Sequence, residues 1–291
     1  NINDYAFENC SNIGEIRIDN ATCSIGVATF RNCSALQYAF VGDNITSIGD
    51  MAFSFCSNLK GINDEKSIVL PQNLKTINYA TFYGCENLNG KITMPYNVST
   101  IRDLAFGGCR GIHSVELSKK TDSISLSAFD KARNFTRYVK SQNDKFNVHN
   151  GVLYSNNMAT LYHCPEGYRN SCVIHSETVE INEKAFDNCT NLRNIILNAE
   201  RIEDYAFNGC TNLRHIAIGA KTYEIGRQIF NGCQSLAHID VKKNNKHYKS
   251  VDGVLFTFDM QTLVRYAPAK PDLVYRVDAC VRKIGELAFM R

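Results

Sequence analysis

Ile48-Gly49-Asp50-Met51-Ala52-Phe53-Ser54-Phe55-Cys56-Ser57-Asn58-Leu59 is the stretch whose reading decides the fold. Its skeleton is Ile-x-x-x-Ala-Phe-x-x-Cys-x-x-Leu. The skeleton returns as Ile2/Ala6/Phe7/Cys10/Ile13, Ile101/Ala105/Phe106/Cys109/Ile112, Ile181/Ala185/Phe186/Cys189/Leu192 and Ile202/Ala206/Phe207/Cys210/Leu213. Looser copies begin at Ile25, Ile77, Ile124 and Ile225, and a broken one at Ile284. Most adjacent starts lie about 23 residues apart, a period that belongs to stacked-coil architectures.

After each Leu comes an alternating stretch, such as Ile16-Arg17-Ile18, Val115-Glu116-Leu117, Ile216-Ala217-Ile218 and Ile239-Asp240-Val241. Apolar, variable, apolar is a strand with one buried face. One coil cannot bury that face alone, so coils must stack, pair their strands in parallel and share a continuous core. With strands roughly 4.8 Å apart, about a dozen coils would make a rod near 60 Å long.

The residue before the Cys is Asn9, Asn32, Gly84, Gly108, Asn188, Gly209 or Gly232 in seven copies. Asn and Gly enter the left-handed backbone region cheaply, so this column reads as a forced turn. Phe55 and Lys131 break the column, and the Lys131 copy has Ala132 for Cys and Phe135 for Leu. Two longer intervals, Ile124 to Ile181 and Ile225 to Ile284, resemble each other. One reads Gly151-Val152-Leu153-Tyr154, Leu161, Pro165; the other reads Gly253-Val254-Leu255-Phe256, Leu263, Pro268. Each is two apolar runs around a polar turn, as in a β-hairpin. These are variant coils at about 140–178 and 242–281 within one repeat domain spanning 1–291. No Pro- or Ser-rich linker interrupts the chain.

Hydrophobic residues make up 44% and charged residues 21% of the 291, which argues against disorder. The formal net charge of +3 is too small to argue for nucleic acid. No apolar run approaches bilayer length, so no membrane insertion is expected in this segment. The sequence opens in mid-motif without a leader, as expected of a fragment or the mature part of a longer chain.

The phrase Ile-Gly-x-x-Ala-Phe-x-x-Cys-x-x-Leu, with Ile48-Gly49-Asp50-Met51-Ala52-Phe53 as its best copy, resembles the BspA-like class of leucine-rich repeats. Asp252-Gly253-Val254-Leu255-Phe256 followed by Pro268 resembles an insertion unit of that family. The resemblance covers nearly the whole chain. It implies a β-rich, right-handed leucine-rich-repeat solenoid with parallel strands on the concave face. Turns and short helical or extended segments would form the convex side, with two β-hairpin variant coils. It also implies a surface or secreted protein that binds host or neighbouring-cell proteins, and it carries no shared catalytic residues. Departures from the pattern are Ala132 in place of Cys and a shifted strand at Leu36-Gln37-Tyr38-Ala39-Phe40-Val41.

The strand residues between the two apolar positions should face solvent on the inner side of the coil: Arg17, Phe40, Asn63, Thr93, Glu116, Ile196, Ala217 and Asp240. Solenoids bind partners on such a surface, although a merely solvated sheet face fits equally mixed chemistry. An exposed Phe40 or Ile196 would mark docking most strongly. Cys10, Cys33, Cys56, Cys85, Cys109, Cys189, Cys210 and Cys233 form a line. A line of thiols cannot wrap a metal tetrahedrally, and parallel Cβ vectors disfavour disulfides. Buried free thiols with a weak S–H donor are the expectation. Cys164 and Cys172 flank Pro165-Glu166-Gly167, and the matching hairpin has Ala267 and Val274 or Tyr275 at about those places. The pair could form a disulfide in an oxidising compartment. Cys23 and Cys280 have no evident partner. His215 and His238 should stack beside Asp240, more simply as surface histidines than as ligands. Sequons at Asn9, Asn20, Asn32, Asn44, Asn97, Asn134 and Asn188 would take glycans only in a eukaryotic secreted protein.

No phosphate loop, metalloprotease motif or nucleophile elbow occurs, so neither catalysis nor a cofactor or metal is expected. A site at the hairpin tyrosines Tyr154, Tyr162, Tyr168, Tyr248 and Tyr266 would be the enzyme alternative. The leading expectation is an extracellular or cell-surface, adhesin-like binder of a protein ligand. The runner-up is a structural spacer presenting another domain. Uncapped end coils could also self-associate.

Overall fold

A computed structural model describes residues 1–18, 23–65, 67–169 and 172–290; the sequon at Asn20 lies outside them. Two compact units result. Unit 1 comprises Asn1–Gly151 with Pro165–Gly167; unit 2 comprises Val152–Cys164 and the chain from Tyr168 onward.

In unit 1 the strands Glu15–Ile18, Tyr38–Val41 and Gly61–Ile62 pair in parallel, as do Gly90–Thr93, Ile112–Glu116 and Arg137–Val139. A second row of two-residue strands, such as Thr76–Ile77, Thr100–Ile101 and Ser123–Ile124, pairs the same way. Unit 2 repeats the plan. Cys172–Val173, Asn194–Leu197, His215–Ile218 and His238–Val241 form one parallel row. Thr160–His163, Glu180–Ile181, Arg201–Ile202 and Glu224–Ile225 form the other. The chain is thus a solenoid of parallel strands, and among the described residues the segments between strands are turns and short extended pieces, with no helix.

In the inner coils the apolar letters of the repeat go inside, while in the first and last coils Phe7 and Ile284 stay exposed. Ala52, Phe53, Cys56 and Leu59 are fully buried, as are Ala206, Phe207, Cys210 and Leu213. Their phenylalanines stack as a column. In unit 1 the rings of Phe7, Phe30, Phe53, Phe82, Phe106 and Phe129 follow one another at 5.2–5.6 Å with planes within 17°. In unit 2 Phe207 lies 4.8 Å from Phe186 and 6.2 Å from Phe230. Offset parallel rings are a favoured aromatic geometry, and burying such a side chain contributes roughly 1.5–3 kcal/mol.

The cysteines are free thiols, and those of the repeat column from Cys33 onward bond to the coil before them. Cys56 Sγ donates to Phe30 O at 3.0 Å, Cys85 to Phe53 O at 3.0 Å, Cys109 to Phe82 O at 3.1 Å and Cys210 to Phe186 O at 3.1 Å. Each of these carbonyls also accepts the backbone amide of the cysteine in its own coil, as Phe30 O does from Cys33 and Phe53 O from Cys56, so the thiol adds a weak second bond that ties one coil to the next. Burial pushes these thiols up, Cys233 to about 12.

The forced turn is present where the sequence suggests it and also where it does not. φ is positive at Asn9 (62°), Asn32 (60°) and Gly108 (73°), and equally at Phe55 (60°) and Lys131 (61°). A second left-handed column lies four residues earlier, at Tyr5, Ala28, Met51, Leu104 and Tyr205. For non-glycine residues this region costs roughly 1–2 kcal/mol each. The compensation is a backbone ladder: the amides of Tyr5, Phe7 and Asn9 donate to Val27 O, Thr29 O and Arg31 O at 2.8–2.9 Å, and later coils repeat the pattern.

Both variant intervals hold the expected hairpins. Val152–Ser155 pairs antiparallel with Thr160–His163, and Val254–Thr257 with Tyr248–Val251 and Thr262–Arg265. Two expectations need correction. Glu15–Ile18 registers with Tyr38–Val41 residue for residue, so the Phe40 strand is not shifted; buried Ala39 simply stands where Ile16 stands one coil earlier. The counterpart of Cys164 is Tyr266, not Ala267, because their amides donate to the equivalent alanines, Ala185 O and Ala288 O.

Candidate functional site

The expected face residues fall into registered columns, each on its own unit. In unit 1 Arg17, Phe40 and Asn63 occupy neighbouring places, and the Arg17 guanidinium lies 4.1 Å from the Phe40 ring centroid. Arg17 also donates to Glu15 at 2.7 Å, so this end of the face is a stacked, self-paired surface with Phe40 half-buried. Asn63 is not a free solvent-facing strand residue. It is half-buried with φ at 55°; its Oδ1 accepts the Val41 amide at 2.6 Å and its Nδ2 donates to Val69 O at 3.0 Å. The side chain closes the sheet where the strand ends. Thr93 is exposed beside Glu116, whose carboxylate pairs with Lys91 at 2.6 Å.

In unit 2 the column runs Val173, Ile196, Ala217, Asp240. Alternation along each strand turns Ile195, Ile216 and Ile239 inward, and all three are buried. The residues between them must face out. In this column the two large outward residues are apolar and exposed: Ile196 is 54% and Val173 63% exposed. A groove of about 570 Å³ lies over them, lined by Val173, Ile196, Ala217, Asn194, His215 and Asp240 and reaching Lys242. His215 and His238 are cross-strand neighbours, as the repeat implies, and the His215 Nε2 sits 2.7 Å from Asp240 Oδ2. That pairing occupies the one carboxylate among the groove residues.

Of the eight residues read from the sequence, the structure thus gathers Ile196, Ala217 and Asp240 into one groove. Val173, Asn194, Asn198 and Lys242 complete it and were not foreseen. Val173 is hidden because its strand is only Cys172–Val173, at the exit of a hairpin.

Among the described residues no group of three or more His, Cys, Asp and Glu could hold a metal ion. Tyr154 and Tyr168 are buried, and burial raises both phenols, Tyr168 to about 12, so neither ionises near neutral pH. Cys164 and Cys172 are buried beside them as thiols close enough to hydrogen-bond each other. Among the described residues no helix is long and apolar enough to cross a membrane.

Parallel coils with buried Phe and Cys columns define a leucine-rich-repeat protein. The BspA type Leucine rich repeat region matches the chain in 6 copies over residues 1–66, 62–166 and 160–251. The chain belongs to this family. A search of curated proteins finds no match. Among solved structures it is similar to a leucine-rich repeat protein from Eubacterium ventriosum, at 19% identity and a TM-score of 0.65, over 97% of this chain and 74% of that one. It is also similar to a leucine rich cell surface protein from Faecalibacterium prausnitzii, at 20% identity and a TM-score of 0.50, over 83% and 82%. At these identities the likeness is one of fold.

Proposed function

We propose that this chain is a non-catalytic, extracellular or cell-surface binding protein that docks a protein partner on the groove of unit 2. The observation that carries this is the exposed Val173–Ile196 ladder. A sheet face that only met water would place polar residues there, as Thr93 and Glu116 do in unit 1. Covering a branched aliphatic side chain is worth roughly 1.5–3 kcal/mol, enough for Ile196 and Val173 to act as anchors. Location outside the cell is in keeping with the fold shared with the leucine rich cell surface protein of F. prausnitzii. The reading treats residues 1–291 as one repeat domain with an adhesin-like task, recognising proteins of a host or a neighbouring cell.

The test is a pull-down of the immobilised chain against matrix, serum and cell-surface proteins, with Ile196→Asp as the decisive variant. Retention of a saturable partner by the parent chain and by Phe40→Asp, with loss on Ile196→Asp, supports docking in unit 2. Loss on Phe40→Asp alone moves the site to unit 1. A partner indifferent to both, or none at all, leaves the spacer as the better reading.

A further inference from the structure

Asn245 is buried, 2% exposed, and its side chain is used at both ends. Nδ2 donates to Gly219 O at 2.7 Å and Thr222 O at 2.8 Å, while Oδ1 accepts the amides of His247 and Tyr248, both at 2.8 Å. Asn143 does the same in unit 1. It donates to Ser118 O at 2.6 Å and Thr121 O at 2.8 Å, and accepts the amides of Lys145 at 2.8 Å and Phe146 at 2.6 Å. The two turns are one scaffold carrying two different surfaces.

Those surfaces differ sharply in charge. Lys140-Ser141-Gln142-Asn143-Asp144-Lys145-Phe146-Asn147 sets one acid against two lysines. Lys242-Lys243-Asn244-Asn245-Lys246-His247-Tyr248-Lys249 holds four lysines and no acid. Since the same turn closes with a nearly neutral surface, folding does not ask for four lysines, and like charges this close oppose compaction. All four are exposed, and among the described residues none of their ammonium groups has a hydrogen-bond or ion-pair partner. Some lysines elsewhere are engaged, Lys91 with Glu116 at 2.6 Å and Lys270 with Asp272 at 3.3 Å; what sets this turn apart is four lysines within eight residues with no acid among them. The Asn245 bonds also draw the Gly219–Thr222 turn alongside, with Lys221 exposed on it.

Lys242 belongs both to this cluster and to the groove lining. The apolar ladder of Val173 and Ile196 therefore runs into an unneutralised cationic turn. We infer that the partner of the groove is an acidic polypeptide segment. It seats an apolar side chain on Val173 and Ile196 and lays the carboxylates that follow along Lys242, Lys243, Lys246 and Lys249. This rests on reading the face as a protein-docking surface. A sulfated polysaccharide would satisfy the lysines but has no apolar group for the Val173–Ile196 floor, so the continuity of the two features favours a polypeptide.

The experiment is fluorescence anisotropy with a labelled peptide of two leucines followed by six glutamates. A matched peptide with glutamine in place of glutamate, and heparin, are the comparisons. The variants are Ile196→Asp and the triple change Lys243→Gln, Lys246→Gln and Lys249→Gln, which leaves the groove lining intact. The expected result is saturable binding of the glutamate peptide that weakens with salt. It should fall roughly tenfold in the triple variant, the scale of three exposed ion pairs, and be lost on Ile196→Asp. If the glutamine peptide binds as tightly and Ile196→Asp abolishes both, the acidic preference is overturned while the groove remains a protein site. No saturable binding of the glutamate peptide also overturns it, and the pull-down then judges the docking reading separately. Heparin binding that needs the lysines but ignores Ile196→Asp, with the peptide bound no more strongly, overturns it in favour of a polysaccharide surface.

Discussion

Phe207→Ala removes one ring from the middle of the unit 2 column. The side chain is fully buried, with Phe186 4.8 Å away on one side and Phe230 6.2 Å away on the other. Truncating a buried Phe to Ala costs about 3–5 kcal/mol, including the ring contacts, which contribute about 0.5–1.5 kcal/mol each. Little can collapse into the gap, because Ala206, Cys210 and Leu213 are themselves buried and held by the same turn. A loss of about 4 kcal/mol is therefore expected, equal to roughly a thousandfold rise in the local opening equilibrium. Because repeat proteins open segment by segment, the loss should concentrate in neighbouring coils. Native-state hydrogen exchange, with urea unfolding by circular dichroism alongside, reads it. Amides of Asn194–Leu197 and His215–Ile218 should lose most protection. The control is Phe258→Ala, a 54% exposed ring, expected to change stability by about 0.5 kcal/mol or less. A Phe207→Ala chain within about 1.5 kcal/mol of the parent, with exchange unchanged in those strands, would refute the claim that the ring column holds the coils together.

Further outcomes follow from the buried titratable groups. Burial lowers the His163 imidazole from 6.5 to about 4, so the native ring is neutral where the unfolded one is charged. Between these values the unfolded chain binds the extra proton. Stability is therefore fully present above about pH 6.5 and is lost as pH falls to about 4, by up to about 3 kcal/mol. Urea titrations at pH 7 and pH 4 should show this slope, and His163→Phe should flatten it. Iodoacetamide on the native chain at pH 8 should modify exposed Cys23 and Cys280 quickly and spare the buried thiols of the column from Cys33 to Cys233, with peptide mass mapping as the readout. Under an oxidising glutathione buffer, a Cys164–Cys172 disulfide is the expected bridge, seen as a linked peptide; a linkage within the column instead would contradict the Sγ–carbonyl ladder.

What the sequence made legible was whatever depends on side-chain identity at a fixed interval. The Ala-Phe-Cys-Leu letters name the core directly, because each coil must bury the same shape against the last. The Asn and Gly before Cys name the first left-handed column, because those residues enter that region at low cost. The second column stayed hidden: Ala28, Met51 and Leu104 carry no such preference, and the backbone ladder between coils, not the residue type, holds them there. Asn63 was misjudged because strand periodicity says nothing of a carboxamide turning back to cap its own sheet. Ile196, Ala217 and Asp240 were legible as a face by alternation. Their convergence with Val173 and Lys242 depends on which strands become neighbours, and the hairpin interval obscures that spacing. The lysine turn was visible as letters, but its meaning comes from Asn143 and Asn245 holding the same turn in both units.

The most direct test of the account places a photo-crosslinking benzoylphenylalanine at position 196, at position 40, or at exposed Gln234 on a turn away from the groove, and irradiates each chain with cell-surface protein extract. The account expects a discrete adduct from position 196 that the unlabelled parent chain competes away, and none from Gln234. Adducts from position 40 or Gln234, with none from position 196, would contradict a docking site on the Val173–Ile196 groove.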